Sequence, residues 1–200
     1  VPTFEPSNQQ EAYDMVASAF ELSERLREPV VLRVVTRLAH SRAAVEVGEP
    51  LAEKPLNVST ERWVLLPGIA RKRYDALIAK QPEMEQAAAD SIYNKVEQCA
   101  EAPRLGIVAC GIAYNYVKEV VGEKVNLLKV SQYPLPAAAV QALAASNDVI
   151  LVVEDGQPVV EEQVKGLLSA GYPVKGRLTG DLPRTGELTP DAVAKALGQP

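Results

Sequence analysis

The single histidine of the chain, His40, lies between two arginines in the segment Thr36-Arg37-Leu38-Ala39-His40-Ser41-Arg42. Two guanidinium groups and an imidazole at this spacing could bind a carboxylate or a phosphate, or the imidazole could transfer a proton. No acid, nucleophile or metal-ligand companion is evident nearby in the sequence, so a catalytic triad centred on His40 has no support. The alternative, which this absence favours, is that Arg37, His40 and Arg42 hydrogen-bond a neighbouring domain and hold a linker.

Two further turns carry residues that could bind a ligand. Gly111 ends a glycine-containing segment, residues 106–111, where a predicted strand passes into a predicted helix, and the free N–H groups of a helix start can hold an anion. That segment lacks the three-glycine spacing of a dinucleotide fingerprint, so a tight turn at Gly111 is the favoured interpretation. Glu154 and Asp155 precede Gly156 at the end of another predicted strand. Their carboxylates could bind a metal or a ribose, whereas acidic residues before a glycine more commonly form a turn or a cap.

The composition argues against several classes of protein. A formal net charge of −5 is the wrong sign for a nucleic-acid partner, whose phosphates attract clustered Lys and Arg. No apolar run approaches the roughly 20 residues that a membrane span needs, and residues 1–8 do not have the pattern of a signal peptide. Cys99 and Cys110 are too few for a disulfide framework, and their spacing fits neither zinc nor an iron–sulfur cluster. We therefore expect two reduced cysteines in a cytoplasmic protein, with no metal ligand and no catalytic residue in this chain.

The first half of the chain predicts elements that cannot form a closed core alone. A helix over residues 9–27 follows a capping box at Ser7 to Gln10, and a continuous β-branched strand over residues 30–35 reads as buried on both faces. We describe these two elements as a truncated helix–strand tail. Glycine and proline residues recur within residues 41–59, which predicts a linker. Residues 69–100 predict a long helical stretch that Pro82 divides in two.

After Pro103 short strands alternate with helices, which is typical of a mostly parallel sheet with right-handed crossovers. Strands are predicted over residues 105–109, 125–130 and 149–153, and helices over residues 112–121, 137–145 and 158–168. A last short helix is predicted behind Thr189 as N-cap and Pro190 at the first helical position. The sequence thus predicts an α/β protein: the tail, a helical linker and a three-layer α/β domain. Since the hydrophobic strand of the tail would be exposed, we also expect self-association or a covering neighbour.

A series of short segments forms an ordered pattern along nearly the whole chain, without large gaps. These segments are residues 4–15, 19–24, 29–33, 36–41, 66–67, 70–73, 111–114, 116–119, 133–136, 152–154, 161–164 and 186–190. Together they resemble the alpha subunits of the indolepyruvate:ferredoxin oxidoreductase family, which are thiamine-diphosphate enzymes. No one segment is specific, but the ordered set is.

The resemblance implies an internal fragment of such a subunit. Residues 1–45 would be the end of a pyrimidine-binding domain, residues 46–102 a linker with helices, and residues 103–200 a transketolase C-terminal-like domain. Thiamine diphosphate, magnesium and iron–sulfur clusters would belong to the parent enzyme and not to this fragment. The family holds magnesium and pyrophosphate with a Gly-Asp-Gly…Asn-Asn motif. Here Gly180-Asp181 is followed by Leu182 and no paired asparagines occur, so this motif is missing from the sequence, in agreement with an internal fragment.

The resemblance also implies a reaction and partners for the parent enzyme. The reaction is the oxidative decarboxylation of an aryl 2-oxoacid with coenzyme A, with electrons passing to ferredoxin. The partners would be the flanking domains of the alpha subunit and a beta subunit, with neither nucleic acid nor membrane. The fragment itself would be a structural or interface piece. The alternative is a stand-alone α/β domain that binds another subunit, or a small molecule at the strand ends near Gly111, Ser131 and Glu154. The candidate cofactor-binding residues of the chain are Arg37, His40, Arg42, Gly111 and Glu154.

Overall fold

The computed structural model of the protein describes residues 1–50, 52–53, 55, 64, 66–100 and 104–199. The strands are β1 (Thr3–Phe4), β2 (Val31–Leu32), β3 (Lys95–Glu97), β4 (Leu105–Cys110), β5 (Asn126–Val130), β6 (Gln132–Tyr133), β7 (Val149–Val153) and β8 (Val174–Lys175). The helices are α1 (Gln9–Leu26), α2 (Thr36–Ala39), α3 (Pro67–Ala79), α4 (Gln81–Ala89), α5 (Ala113–Val121), α6 (Ala137–Ala145), α7 (Val159–Leu167) and α8 (Pro190–Ala196). No helix in these described ranges is both long and apolar enough to cross a membrane.

A five-stranded sheet in the order β3-β5-β4-β7-β8 forms the centre of the protein. The four neighbouring strands β5, β4, β7 and β8 are parallel, and β3 pairs antiparallel with β5 at one edge. The central strands are buried along almost their whole length, which matches the continuous apolar runs expected for parallel strands covered on both faces. This confirms the predicted α/β class with a mostly parallel sheet.

Alternate side chains of the sheet supply two separate cores, one on each face. On one face, Ile107, Leu127 and Leu151 pack with residues of α5 and α8. On the other face, Val108 and Leu128 pack with residues of α6 and α7. The helix–sheet–helix arrangement therefore has three layers, as the sequence predicts.

The N-terminal tail packs on this domain through a second, smaller sheet. The order of this sheet is β2-β1-β6, with β1 parallel to β2 and antiparallel to β6. A third core lies beneath it and joins Phe4 and Met15 to Met84 and Tyr93, so α1 and α4 share one hydrophobic cluster. The ring of Phe4 meets that of Tyr93 edge to face, with centroids 5.8 Å apart.

Several predicted elements differ from the observed ones. The strand expected over residues 30–35 is only two residues long, and Val31 is 47% exposed, because the edge on that side of β2 has no partner among the described residues. The expected helix through residue 100 stops at Ala89, and residues 95–97 form edge strand β3. Pro82 does divide the helical stretch, since it occupies the first turn of α4.

The helix caps follow local chemistry, with one shift from the prediction. The N-cap of α1 is Asn8, whose side chain accepts the N–H of Glu11 at 2.8 Å, and Ser7 instead donates its own N–H to the Glu11 carboxylate at 2.9 Å. Thr189 caps α8 as predicted, accepting from Ala192 N–H at 3.2 Å. The predicted division of the chain at residues 45 and 102 stays a prediction, although β3 carries part of the expected linker into the main sheet.

Candidate functional site

A cleft opens beside the carboxyl end of β7, where α/β proteins commonly bind ligands. It has a volume of about 650 Å³. One wall is the segment that follows β2 and forms α2, and the other is the turn after β7 together with a residue of the C-terminal loop. Its charged or polar lining includes Arg33, Arg37, His40, Asp155 and Glu187. We call this the β7 cleft.

Arg33 is held in the wall of the β7 cleft by a buried acid. One of its terminal nitrogens forms an ion pair with Glu5, which is 3% exposed, and the other donates to the backbone carbonyl of Asp155 at 2.7 Å. The Tyr133 hydroxyl donates to the second carboxylate oxygen of Glu5 at 2.9 Å. Burial raises the pKa of Glu5 above its usual value, although Arg33 and Tyr133 oppose the shift. Arg33 is therefore held by Glu5 and by the carbonyl of Asp155, while Tyr133 holds Glu5.

Gly111 lies against this same acid. Its φ of +50° is in the left-handed region, and a Cβ atom there would lie 2.5 Å from Cγ of Glu5. Its N–H donates to the carbonyl of Val130 at 3.0 Å. The tight turn predicted for Gly111 is thus observed, and an anion at that position would face a carboxylate, so the structure favours packing over anion binding there.

Arg37 projects from α2 between an acid and an aromatic ring. Its Nε donates to the Glu187 carboxylate at 2.8 Å, and its guanidinium carbon lies 5.5 Å from the centroid of the Tyr116 ring. The side chains of Arg37 and Glu187 are 40% and 50% exposed, so water screens this ion pair. Hydrogen bonding to Arg37 lowers the pKa of Glu187.

The structure separates the remaining histidine and arginine candidates. His40 ends α2 and lines the β7 cleft beside Arg37, with its side chain exposed. Arg42 is exposed too, but it is not among the residues that line the cleft. The arrangement therefore brings together Arg37 and His40, and it adds Arg33, which the sequence interpretation left inside a strand.

Glu154 faces into the protein as the cap of helix α7. Its two carboxylate oxygens accept the N–H groups of Val160 and Glu161 at 2.9 and 2.8 Å. Burial raises the pKa of Glu154 above its usual value, and the two backbone hydrogen bonds work against that shift. This is the geometry of a helix cap. Asp155, the next residue, accepts from Arg177 and from the N–H of Leu188 at 3.3 and 3.2 Å.

A second buried charge pair joins the tail to the sheet. Lys129 lies within the otherwise largely apolar strand β5 and is 1% exposed. It forms an ion pair with Glu11 of α1. Its ammonium nitrogen lies 4.8 Å from the centroid of the Tyr114 ring. A lysine inside an apolar strand is itself a sequence signal of a buried partner, but nothing local identifies Glu11 as that partner.

Comparison with known proteins places these features in context. No family model matches the chain. Indolepyruvate oxidoreductase subunit IorA of Methanothermobacter thermautotrophicus is 35% identical over 98% of this chain, and the IorA of Archaeoglobus fulgidus is 35% identical over 99%. The matched regions are 34% and 33% of those subunits, so the chain spans about a third of the length of these relatives.

A solved structure shares the fold at lower sequence identity. It is described as the 2-oxoglutarate:ferredoxin oxidoreductase from Magnetococcus marinus with 2-oxoglutarate, coenzyme A and succinyl-CoA bound. The TM-score is 0.66 and the sequence identity 14%, over 98% of this chain and 41% of that one.

Proposed function

Because this chain belongs to the family of the indolepyruvate oxidoreductase subunits IorA, we propose that it is the positioning segment of a 2-oxoacid:ferredoxin oxidoreductase. The observation that carries the proposal is the sequence identity of 35% to these subunits over 98–99% of the chain. The fold that the chain shares with the solved 2-oxoglutarate:ferredoxin oxidoreductase agrees with it. Its role would be to hold the tail and the parallel sheet in one fixed relation.

The proposed parent reaction is the coenzyme A-dependent oxidative decarboxylation of indolepyruvate or a related aryl 2-oxoacid, with ferredoxin as electron acceptor. Thiamine diphosphate with magnesium would supply the carbanion chemistry when bound, and iron–sulfur clusters would carry the electrons. Flanking domains and a beta subunit would complete the enzyme in the cytoplasm.

The described residues do not offer a donor set for these groups. In the ranges that the structure describes, no group of three or more His, Cys, Asp or Glu side chains that could hold a metal ion is found. The two cysteines are separate, with Cys110 buried in β4. We derive no chemical step through magnesium or a cluster.

Buried polar contacts between the tail and the sheet support the positioning role. Glu11 on α1 reaches Lys129 in β5, and Glu5 after β1 reaches Tyr133 in β6. Asn115 on α5 donates to the carbonyl of Ser7 at 2.7 Å. Charge pairs that are taken out of water tolerate little misalignment, so these contacts specify one geometry between the two parts.

Exposed apolar side chains support an interface role. Tyr13, Val16 and Phe20 are 39%, 43% and 67% exposed, and their spacing places them on one face of α1. Val31 in the short edge strand β2 and Val34 just after it are exposed as well. We propose that other parts of the enzyme cover these surfaces in the assembled oligomer.

The test is an activity assay on the native protein that contains this chain. Purified protein is given indolepyruvate and a viologen dye as electron acceptor, and coenzyme A or thiamine diphosphate is omitted in turn. We expect dye reduction that needs the oxoacid and both additions. Dye reduction at full rate after removal of thiamine diphosphate, or none with any aryl 2-oxoacid, would exclude the proposed reaction.

A further inference from the structure

We propose that the β7 cleft is a binding site for an oxyanion, a carboxylate or a phosphate of a small molecule, with Arg37 as its main donor. This inference rests on the geometry of the cleft and does not depend on the proposed reaction. Arg37 and His40 stand side by side on one wall, and the volume of about 650 Å³ suits a small organic ligand.

Arg37 has unused hydrogen-bonding capacity. Only its Nε has a hydrogen-bond partner in the described ranges, namely Glu187, and the two terminal nitrogens of the guanidinium remain without one. An arginine presents its N–H groups as a planar fork that suits a carboxylate or phosphate in a bidentate arrangement. The contact with Glu187 shows that this guanidinium already donates to a carboxylate, and the half-exposed Glu187 side chain can turn away into water.

An independent observation comes from the residue beneath Arg37. The hydroxyl of Tyr116 is buried and makes no hydrogen bond within the part of the chain that the structure describes. The guanidinium carbon of Arg37, a residue of the cleft wall, lies 5.5 Å from the centroid of the Tyr116 ring, so Tyr116 lies directly behind that wall. A buried hydroxyl without a partner costs stability, so its position next to the cleft points to a ligand or water that satisfies it.

The other charges of the cleft are already neutralised inside the protein. Arg33 is paired with Glu5, and Asp155 accepts from Arg177. The pair of Arg37 and Glu187 is thus the one in the cleft wall that is exposed on both sides. We infer that an incoming oxyanion competes with Glu187 for Arg37, while His40 donates from its ring N–H.

Two substitutions with opposite expected effects test this model. Arg37→Met removes the donor and should weaken oxyanion binding at least tenfold, because a hydrogen bond to a charged group is lost. Glu187→Gln removes the internal competitor and should tighten binding by up to about fivefold, the range set by an exposed ion pair. Arg42→Met is the matched control, since Arg42 is an exposed arginine outside the cleft.

Binding is measured by calorimetry on the 200-residue chain, with phenylpyruvate as the carboxylate probe and inorganic pyrophosphate as the phosphate probe. The probe that binds identifies the source of the oxyanion. A tyrosine-labelled sample supplies a second readout, since occupancy should shift the NMR signal of Tyr116, and Arg37→Lys should bind with intermediate strength.

Binding that follows the order Glu187→Gln, wild type, Arg37→Met would support the site. The proposal would be overturned if neither probe bound to the folded chain. It would also be overturned if Arg42→Met lost as much affinity as Arg37→Met. Because neither result involves electron transfer, failure here is distinguishable from failure of the proposed reaction.

Discussion

The buried pair of Lys129 and Glu11 gives the sharpest prediction of stability. Lys129 is 1% exposed within β5, and its partner on α1 also accepts the N–H and the hydroxyl of Ser7 at 2.9 and 2.7 Å. Burial raises the pKa of Glu11, but Lys129 and Ser7 outweigh it and leave the net pKa below the usual value of 4.5. For Lys129 burial prevails over Glu11, and its pKa is lowered. Both residues therefore carry a desolvation cost that the partner offsets.

Replacing Lys129 with methionine keeps the side-chain length and leaves the Glu11 carboxylate without its counter-ion. Breaking a buried pair from one side costs about 3–5 kcal/mol, and the partial exposure of Glu11 together with its bonds to Ser7 favours the lower end. We expect the free energy of unfolding of Lys129→Met to fall by about 3 kcal/mol. The measurement is urea denaturation of the chain followed by far-ultraviolet circular dichroism, with exposed Lys124→Met as the control.

A double-mutant cycle separates the pair from the packing around it. The variant that combines Lys129→Met with Glu11→Gln removes both charges and keeps an oxygen that can accept from Ser7, so it should be more stable than Lys129→Met alone. A loss of stability in Lys129→Met no greater than that in Lys124→Met would show that Glu11 does not need Lys129 as its counter-ion. A double variant that loses more free energy of unfolding than the sum of the two single losses would contradict the assigned pairing as well.

The remaining predictions concern a turn, a pH dependence and a helix cap. Gly111→Ala should lose about 1–3 kcal/mol more stability than Gly122→Ala, since both have positive φ but only Gly111 has Glu5 against the new Cβ atom; paired urea titrations measure the difference. Glu5 has a raised pKa in the folded state, so its contribution to stability is lost as pH rises above 4.5, and Glu5→Gln should lose less stability than wild type between pH 4.5 and 7; equal losses would contradict the assignment. Thr189→Ala should cost about 1 kcal/mol in thermal denaturation by removing the N-cap of α8, while Thr189→Ser should restore it.

Much of the central domain can be predicted from sequence because its elements have strong local signals. The apolar run at β7 and the helix Ala137–Ala145 lie where the pattern places them. Strand β3 has no such signal, since Lys95 and Glu97 flank one valine and the strand forms only by pairing with β5. The β-branched run near Val31 misleads in the opposite direction, because burial of a strand depends on neighbours that a local pattern does not contain.

Some contacts of the candidate site could be predicted from sequence and others could not. Arg37 and His40 are close in sequence and on one short helix, so their proximity could be predicted. Glu187, which pairs with Arg37, is 150 residues away, and its contact follows only from the path of the loop after β8. Glu5 likewise meets Gly111 through the small sheet, and no spacing rule connects them.

Calorimetry can check whether this chain positions other parts of an oxidoreductase, as we propose, without itself holding the thiamine cofactor. The folded 200-residue chain is titrated with thiamine diphosphate and magnesium, and pyrophosphate with magnesium serves as the baseline because a diphosphate group alone could occupy the β7 cleft. We expect no saturable heat from thiamine diphosphate beyond that baseline. A saturable isotherm above the baseline, with a stoichiometry near one, would place the cofactor site within these residues and overturn the proposal.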